Sequence, residues 1–216
     1  MGARLFFVRH GQTIWHLGKR YAGSSDVDLD AEGLRQARAL ADWATGAELD
    51  LVAASPLHRA VDTAEPAATA AGVPLRLDDR LREQDFGVAE GLTLEELRDR
   101  DPAAAAGFAE DPVRHPFPGA EPPQAAARRA VAGLDDLARE AGTGGRVLVV
   151  AHGTLLRLVL CTVLGIELRD YRRRFPVVGN GAITELEWNL PPGLVALRRL
   201  NAPPAQAVVS ARSQSR

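Results

Sequence analysis

Apolar positions along the chain keep two rhythms. One is the short unbroken run: residues 3–8, Leu49 to Ala54, Leu75 to Leu77 and Arg146 to Val150 each gather apolar residues that glycine, proline or charge then closes off. Runs of this length, rich in β-branched residues, predict strands buried on both faces, as in a parallel sheet. The other rhythm is helical. LDAEGLRQARALADWA, capped by Asp30, puts Leu34, Ala37, Leu40 and Ala41 on one face. Ser55 and Pro56 predict a cap and first position for a second helix, with Pro66 as a kink and Gly72 as its stop. Thr93 caps a short helix over LTLEELRDRD, and longer helices are expected over 123–140 and 154–164.

Two segments depart from this alternation. Residues 101–123 hold six prolines and predict an irregular excursion or lid. Near the end, AITELEW alternates strictly, and GLVALRRL, after Pro191-Pro192-Gly193, predicts its hairpin partner. Residues from 203 onward are expected to be a disordered tail. Strands alternating with helices give an α/β fold with a mostly parallel sheet and an antiparallel edge strand. One domain is expected over 1–202, with a small inserted lid at about 88–123. The AITELEW edge could pair in a homodimer.

Composition narrows the function class. With 216 residues, 46% apolar and 25% charged, the chain can bury one substantial core. A net charge of −2 offers no basic field to nucleic acid or anionic lipid. Cys161, alone in an apolar pattern, is expected in the core. No apolar run reaches membrane-spanning length and no long signal-type segment opens the chain, so a cytoplasmic protein is expected.

The candidate chemistry lies where two strands end. LFFVRHGQT at residues 5–13 and RVLVVAHGT at 146–154 both run into His-Gly. Ligands of open α/β sheets bind at the carboxyl ends of strands, so His10 and His152 are expected to meet there. Gly11 and Gly153 allow a sharp turn and close approach of a ligand. Arg9 adds a planar fork, Arg59 follows another strand end, and a helix starting near Gly153 aims N–H groups at the same spot. Together these favour a phosphate. Zinc could use His10 and His152, but no third ligand stands at typical spacing, so neither metal nor cofactor is expected. Arg169, Arg172, Arg173 and Arg174 in RDYRRR read as a solvated helix end, or as contacts for a phosphate-rich substrate tail.

These motifs, with SPLHRAVDTA, LREQDFGVAEGLT, ITELEW and RRLN in the same order, resemble the histidine phosphatase superfamily over roughly residues 3–201. The resemblance implies a three-layer α/β/α, phosphoglycerate mutase-like fold. It implies His10 as the nucleophile that becomes phosphohistidine, Arg9, Arg59 and His152 as the phosphate pocket, and Glu83 as proton donor. Gly11, His16, Gly23 and Gly153 are expected to line the substrate site, with Arg114 and His115 as contacts from the lid. His16 stands where the family usually has a phosphate-touching Asn and is expected to donate the same bond. Gln84 and Phe86 replace the Arg and Tyr of the mutases, Ala89 replaces a Trp, Glu121 keeps the acid of a degraded phosphatase motif, and a long basic insertion is missing. These differences imply a phosphomonoesterase for a small phosphorylated metabolite. The alternatives are mutase-type phosphoryl transfer and a non-catalytic protein that binds a phosphorylated ligand.

Overall fold

The computed structural model describes residues 2–188 and 194–204. Four strands arise from the unbroken apolar runs: β1 (Ala3–Arg9), β2 (Leu51–Ala54), β3 (Leu75–Leu77) and β4 (Arg146–Ala151). Two more close the sheet, β5 (Ile183–Trp188) and β6 (Val195–Ala202), giving the order β3-β2-β4-β1-β5-β6. The first four pair in parallel, while β5 runs antiparallel to β1 on one side and to β6 on the other. AITELEW therefore is not an edge strand. Its hairpin partner covers it, and Arg198 and Arg199 of that partner reach Glu187 and Glu185 of β5. The Pro191-Pro192-Gly193 turn and the tail from residue 205 lie outside the described residues.

Alternation along β1 sorts the core into two layers. Phe6 and Val8 face α1 (Ala31–Ala44) and α2 (His58–Ala71), packing with Leu40, Ala60 and Ala64. Leu5 and Phe7 face α5 (Pro123–Ala141) and α6 (Gly153–Val163), packing with Leu134, Leu155 and Val159. The fold is α/β/α, with Cys161 buried as expected. No helix of the described residues is long and apolar enough to cross a membrane.

The remaining helices are α3 (Leu94–Arg100), α4 (Pro102–Glu110) and the short α7 (Tyr171–Arg174). α4 corrects the expectation of irregular chain over 101–123. Asp101 caps it by accepting from the Ala104 amide, and Pro102 sits in the first turn, where its missing N–H costs nothing. With α3 it packs a small separate core of Phe86, Ala89, Leu97, Ala105, Phe108 and Phe117. Two helical details also differ from expectation. α2 begins at His58, after Leu57, because Ser55 is buried and its Oγ accepts the Leu57 amide; the helix continues through Pro66. In α1, Leu34 is 45% exposed, and Gly33, Ala37, Leu40 and Ala44 form the buried face with Trp43.

Candidate active site

β1 and β4 are neighbours in register, Arg9 opposite Ala151, so the residues that follow them emerge side by side. The His10 amide donates to the Ala151 carbonyl at 2.9 Å, and the His10 and His152 ring centroids are 5.2 Å apart. A Cβ at Gly11 would stand 2.7 Å from the Gly33 carbonyl, so glycine lets the chain turn here against α1. Thr63, one turn beyond Arg59 on α2, accepts the Gly11 amide at 2.9 Å and donates to the Arg59 carbonyl at 2.7 Å. Asn180 adds a bond from its side-chain amide to the His10 carbonyl at 2.8 Å. The backbone at His10 is thus held from three sides.

One contact fixes the His10 tautomer. Nδ1 lies 2.7 Å from the Gly11 carbonyl, which can only accept, so Nδ1 carries the proton and Nε2 the lone pair. Burial, reinforced by the charges of Arg59 and Arg9, pushes His10 well below the ordinary imidazole range. Burial and Arg59 do the same to His152. Both imidazoles are neutral near pH 7.

Two guanidiniums flank them. Arg59 is fully buried, its Nη1 donating to the Ser25 carbonyl at 2.7 Å and its Nη2 to that of Gly23 at 2.8 Å. Arg9 donates from Nη1 to the Val178 carbonyl at 2.8 Å; burial and the nearby charge of Arg157 lower its pKa to about 10, which leaves it protonated. Among the described residues, Arg9 Nε, Arg59 Nε and both ring nitrogens of His152 are buried without a hydrogen-bond partner. Buried polar atoms are nearly always paired, so the unpaired N–H of each guanidinium and the single N–H of the neutral His152 ring suit an anion as acceptor.

Among the described residues, Glu83 is the one carboxylate that lines this spot. It accepts the amides of Thr154 at 2.9 Å, Leu155 at 2.8 Å and Gln84 at 3.0 Å. The α6 N-terminus, expected to present free N–H groups to a ligand, instead gives two of them to Glu83. Burial nonetheless raises the Glu83 pKa, with the three amides opposing. Its position comes from Arg129, which donates to the carbonyls of Arg80, Arg82 and Glu83 and is clamped by a bidentate pair with Glu121 at 2.8 and 2.7 Å. The acid noted at 121 therefore acts on the segment leading to Glu83.

Above these groups opens a cleft of about 320 Å³, lined by Arg9, His10, His16, Glu83 and Gly153, and further out by Trp15, Tyr21, Arg157 and Arg172. Several expected contacts differ. His16 Nδ1 accepts the Thr13 amide at 2.9 Å and lies 2.8 Å from Thr13 Oγ1, while its Nε2 lies 2.6 Å from Arg9 Nη2. Burial together with Arg9 lowers its pKa to about 4, leaving it neutral. Gly23 lies behind Arg59 and off the cleft lining; its amide donates to Glu90 at 2.9 Å, and a Cβ there would meet the Gln84 carbonyl at 2.2 Å. Arg114 lines a separate cavity with Asp111 and Arg169, and His115 is exposed and packs beside Gly107. Neither reaches the cleft. Arg172, read from sequence chiefly as a solvated helix end, does reach it. No cluster of three or more potential metal ligands occurs among the described residues.

Sequence reasoning missed Asn180, Thr63, Glu90 and Arg157. Only the last carried a local signal, lying one turn beyond Gly153 on α6. Glu90 accepts amides from Gly23, Ser24, Ser25 and Phe86, drawing together the loop whose carbonyls hold Arg59.

Known proteins share this arrangement of chain. Probable phosphoglycerate mutase GpmB of Enterobacter sp. is 33% identical over 193 residues, 89% of this chain and 88% of its own. Phosphoserine phosphatase 1 of Hydrogenobacter thermophilus is 31% identical over 168 residues, 78% of this chain and 79% of its own. The structure of a mycobacterial glucosyl-3-phosphoglycerate phosphatase superposes with a TM-score of 0.84 at 30% identity, covering 94% of this chain and 100% of that one. The family model of the histidine phosphatase superfamily, branch 1, matches residues 5–201. The chain belongs to the histidine phosphatase superfamily.

Proposed function

We propose that the chain is a metal-free phosphomonoesterase that works through a phosphohistidine on His10. The observation carrying this reading is the neutral His10 with its lone pair on Nε2, together with unpaired buried N–H donors on Arg9, Arg59 and His152. A neutral imidazole is a nucleophile available near pH 7 that phosphate oxygens do not repel. Its Nε2 attacks phosphorus in line, the ester P–O bond breaks, and Glu83 gives its proton to the departing alkoxide. Arg9, Arg59 and His152 stabilise the equatorial oxygens, where transition-state charge sits. Water then attacks phosphorus, its proton passing to Glu83, and the P–N bond breaks, so that inorganic phosphate leaves and His10 is free. A raised pKa suits both tasks of the carboxyl group.

Hydrolysis is favoured over the mutase reaction by Gln84 and Phe86, which stand in place of the Arg and Tyr of mutases. Residues 88–123, with their own small core, would form a lid that sets specificity. The activities named for the phosphoserine and glucosyl-3-phosphoglycerate phosphatases support a small phosphorylated metabolite as the substrate class. The test is release of inorganic phosphate from p-nitrophenyl phosphate and a metabolite panel, with and without EDTA. His10-dependent release, and a radiolabelled enzyme stable to alkali but not acid, are expected. Isomerisation of 3-phosphoglycerate without phosphate release would establish the mutase reading; a rate unchanged in His10→Ala would remove both.

A further inference from the structure

The outer cleft is more cationic than one phosphoryl group requires. Beyond Arg9 its lining includes Lys19, Arg20, Arg157 and Arg172, and among the described residues Glu83 is the sole carboxylate of that lining. Arg20 is already matched, its guanidinium bonded to Glu96 at 2.7 and 3.1 Å. Among the described residues Lys19, Arg157 and Arg172 have no carboxylate partner, unlike their neighbours Arg20 and Arg173.

The two arginines are held in place by groups that do not neutralise them. Arg157 donates to the carbonyls of Phe175, Gly153 and Pro176 at 2.7, 3.1 and 3.2 Å. It shares Gly153 with Arg9: a Cβ there would stand 3.4 Å from Arg157 Nη1 and 3.0 Å from Arg9 Nε. Arg172 lies 4.9 Å over the Phe108 ring and 6.0 Å over Tyr21, its Nε donating to the Tyr171 hydroxyl at 3.0 Å. Stacking fixes the plane of a guanidinium and leaves its edge free to donate. Lys19 has φ of 51°, a left-handed conformation that is uncommon without glycine and is often found where function requires it. Burial chiefly lowers the pKa of Arg9 and of Arg157, and the neighbouring charges of Arg157 and Arg172, respectively, lower them further. A second anion between them would relieve this.

We infer that Arg157, Arg172 and Lys19 form a second anion subsite, so that the substrate is a phosphomonoester carrying a further carboxylate or phosphate group. The inference rests on the phosphatase reading, which places the scissile phosphoryl group on His10. At about 320 Å³ the cleft is near the lower end of small-molecule pockets, roughly 300 to 1,000 Å³, and suits a compact dianionic or trianionic metabolite.

The experiment compares kcat/KM for 3-phosphoglycerate, fructose 1,6-bisphosphate, glucose 6-phosphate and p-nitrophenyl phosphate in wild type, Arg172→Gln and Lys19→Gln. The wild type should prefer one or both of the first two, and the more active of them identifies the second group as carboxylate or phosphate. Each variant should lower the ratio of that substrate's kcat/KM to that of glucose 6-phosphate by roughly tenfold, the worth of one charge-assisted hydrogen bond. Should Arg172→Gln fail to fold, Lys19→Gln decides alone. Equal turnover of glucose 6-phosphate, or ratios unchanged in the folded variants, would overturn the subsite while leaving the phosphatase intact. No His10-dependent phosphate from any of the four would instead indict the underlying reading.

Discussion

Each side chain at the centre is set for one protonation state. In the proposed mechanism Glu83 loses a proton in the first half-reaction and gains one in the second, so its removal should affect the two halves unequally. p-Nitrophenolate leaves without protonation, whereas phosphohistidine still needs water activated. Glu83→Gln with p-nitrophenyl phosphate is therefore expected to give a burst of one nitrophenol per enzyme, then slow turnover; stopped-flow absorbance reads it, and a linear trace at the wild-type rate would remove the acid–base role. The imidazoles make a separate prediction. His10 and His152 are held neutral in the fold but titrate near 6.5 when unfolded, so the unfolded chain binds more protons as pH falls below that value. Stability they contribute above that pH should drain away as pH falls toward their folded pKa values, by up to about 1.4 kcal/mol per unit for each. Urea midpoints across this window should drop, and His152→Gln should flatten the slope. These two histidines were legible as residues because each ends an apolar run at a glycine. Their neutrality was not, because it depends on Arg59 and on burial that no local pattern records.

Among the elements, those read most securely have a periodic pattern of their own. The four parallel strands and α1, α5 and α6 follow it, whereas α4 was hidden by its flanking prolines, one of which occupies a first helical turn. The reading of AITELEW as an edge failed for another reason: alternation reports which face is buried and is silent about which strand lies alongside. The excursion of α3 and α4 can be tested as a unit. Phe108 and Phe117 stack at 3.9 Å between centroids, and Tyr21 meets both edge-on. Phe108→Ala removes the centre of a six-residue core, where aromatic truncation costs about 3–5 kcal/mol. Because the two main layers do not share that core, the excursion should open locally before the sheet unfolds. Hydrogen exchange should quicken over residues 94–117 with little change in β1 and β4. Uniform acceleration across the chain would mean that the excursion is no separate unit.

At the scale of the molecule, the candidate site is a junction. Arg9 and His10 leave β1, Arg59 opens α2, Glu83 follows β3, and His152 bridges β4 to α6, so both helical layers and the sheet contribute. Sequence reasoning found these five because each sits in a recognisable motif. It could not find the roles of Asn180, which bonds the distant His10 carbonyl, or of the Glu121–Arg129 pair, whose arginine holds the distant carbonyls of Arg80, Arg82 and Glu83. An anion bound at the junction contacts all these segments in the native state and none in the unfolded chain, so binding is linked to global stability. At a hundredfold excess over its dissociation constant, inorganic phosphate should add about 2.7 kcal/mol. For a chain of this length each kcal/mol raises Tm by roughly 2–4 °C, so a rise of about 5–10 °C is expected. Arg59→Ala removes a buried donor and leaves the carbonyls of Gly23 and Ser25 without it. Its own Tm should fall, and phosphate should no longer raise it, while kcat drops by roughly 10²- to 10³-fold. A full phosphate-induced rise in Arg59→Ala would show that the anion binds elsewhere, and the convergence of strand ends and helix start would then have to serve another ligand.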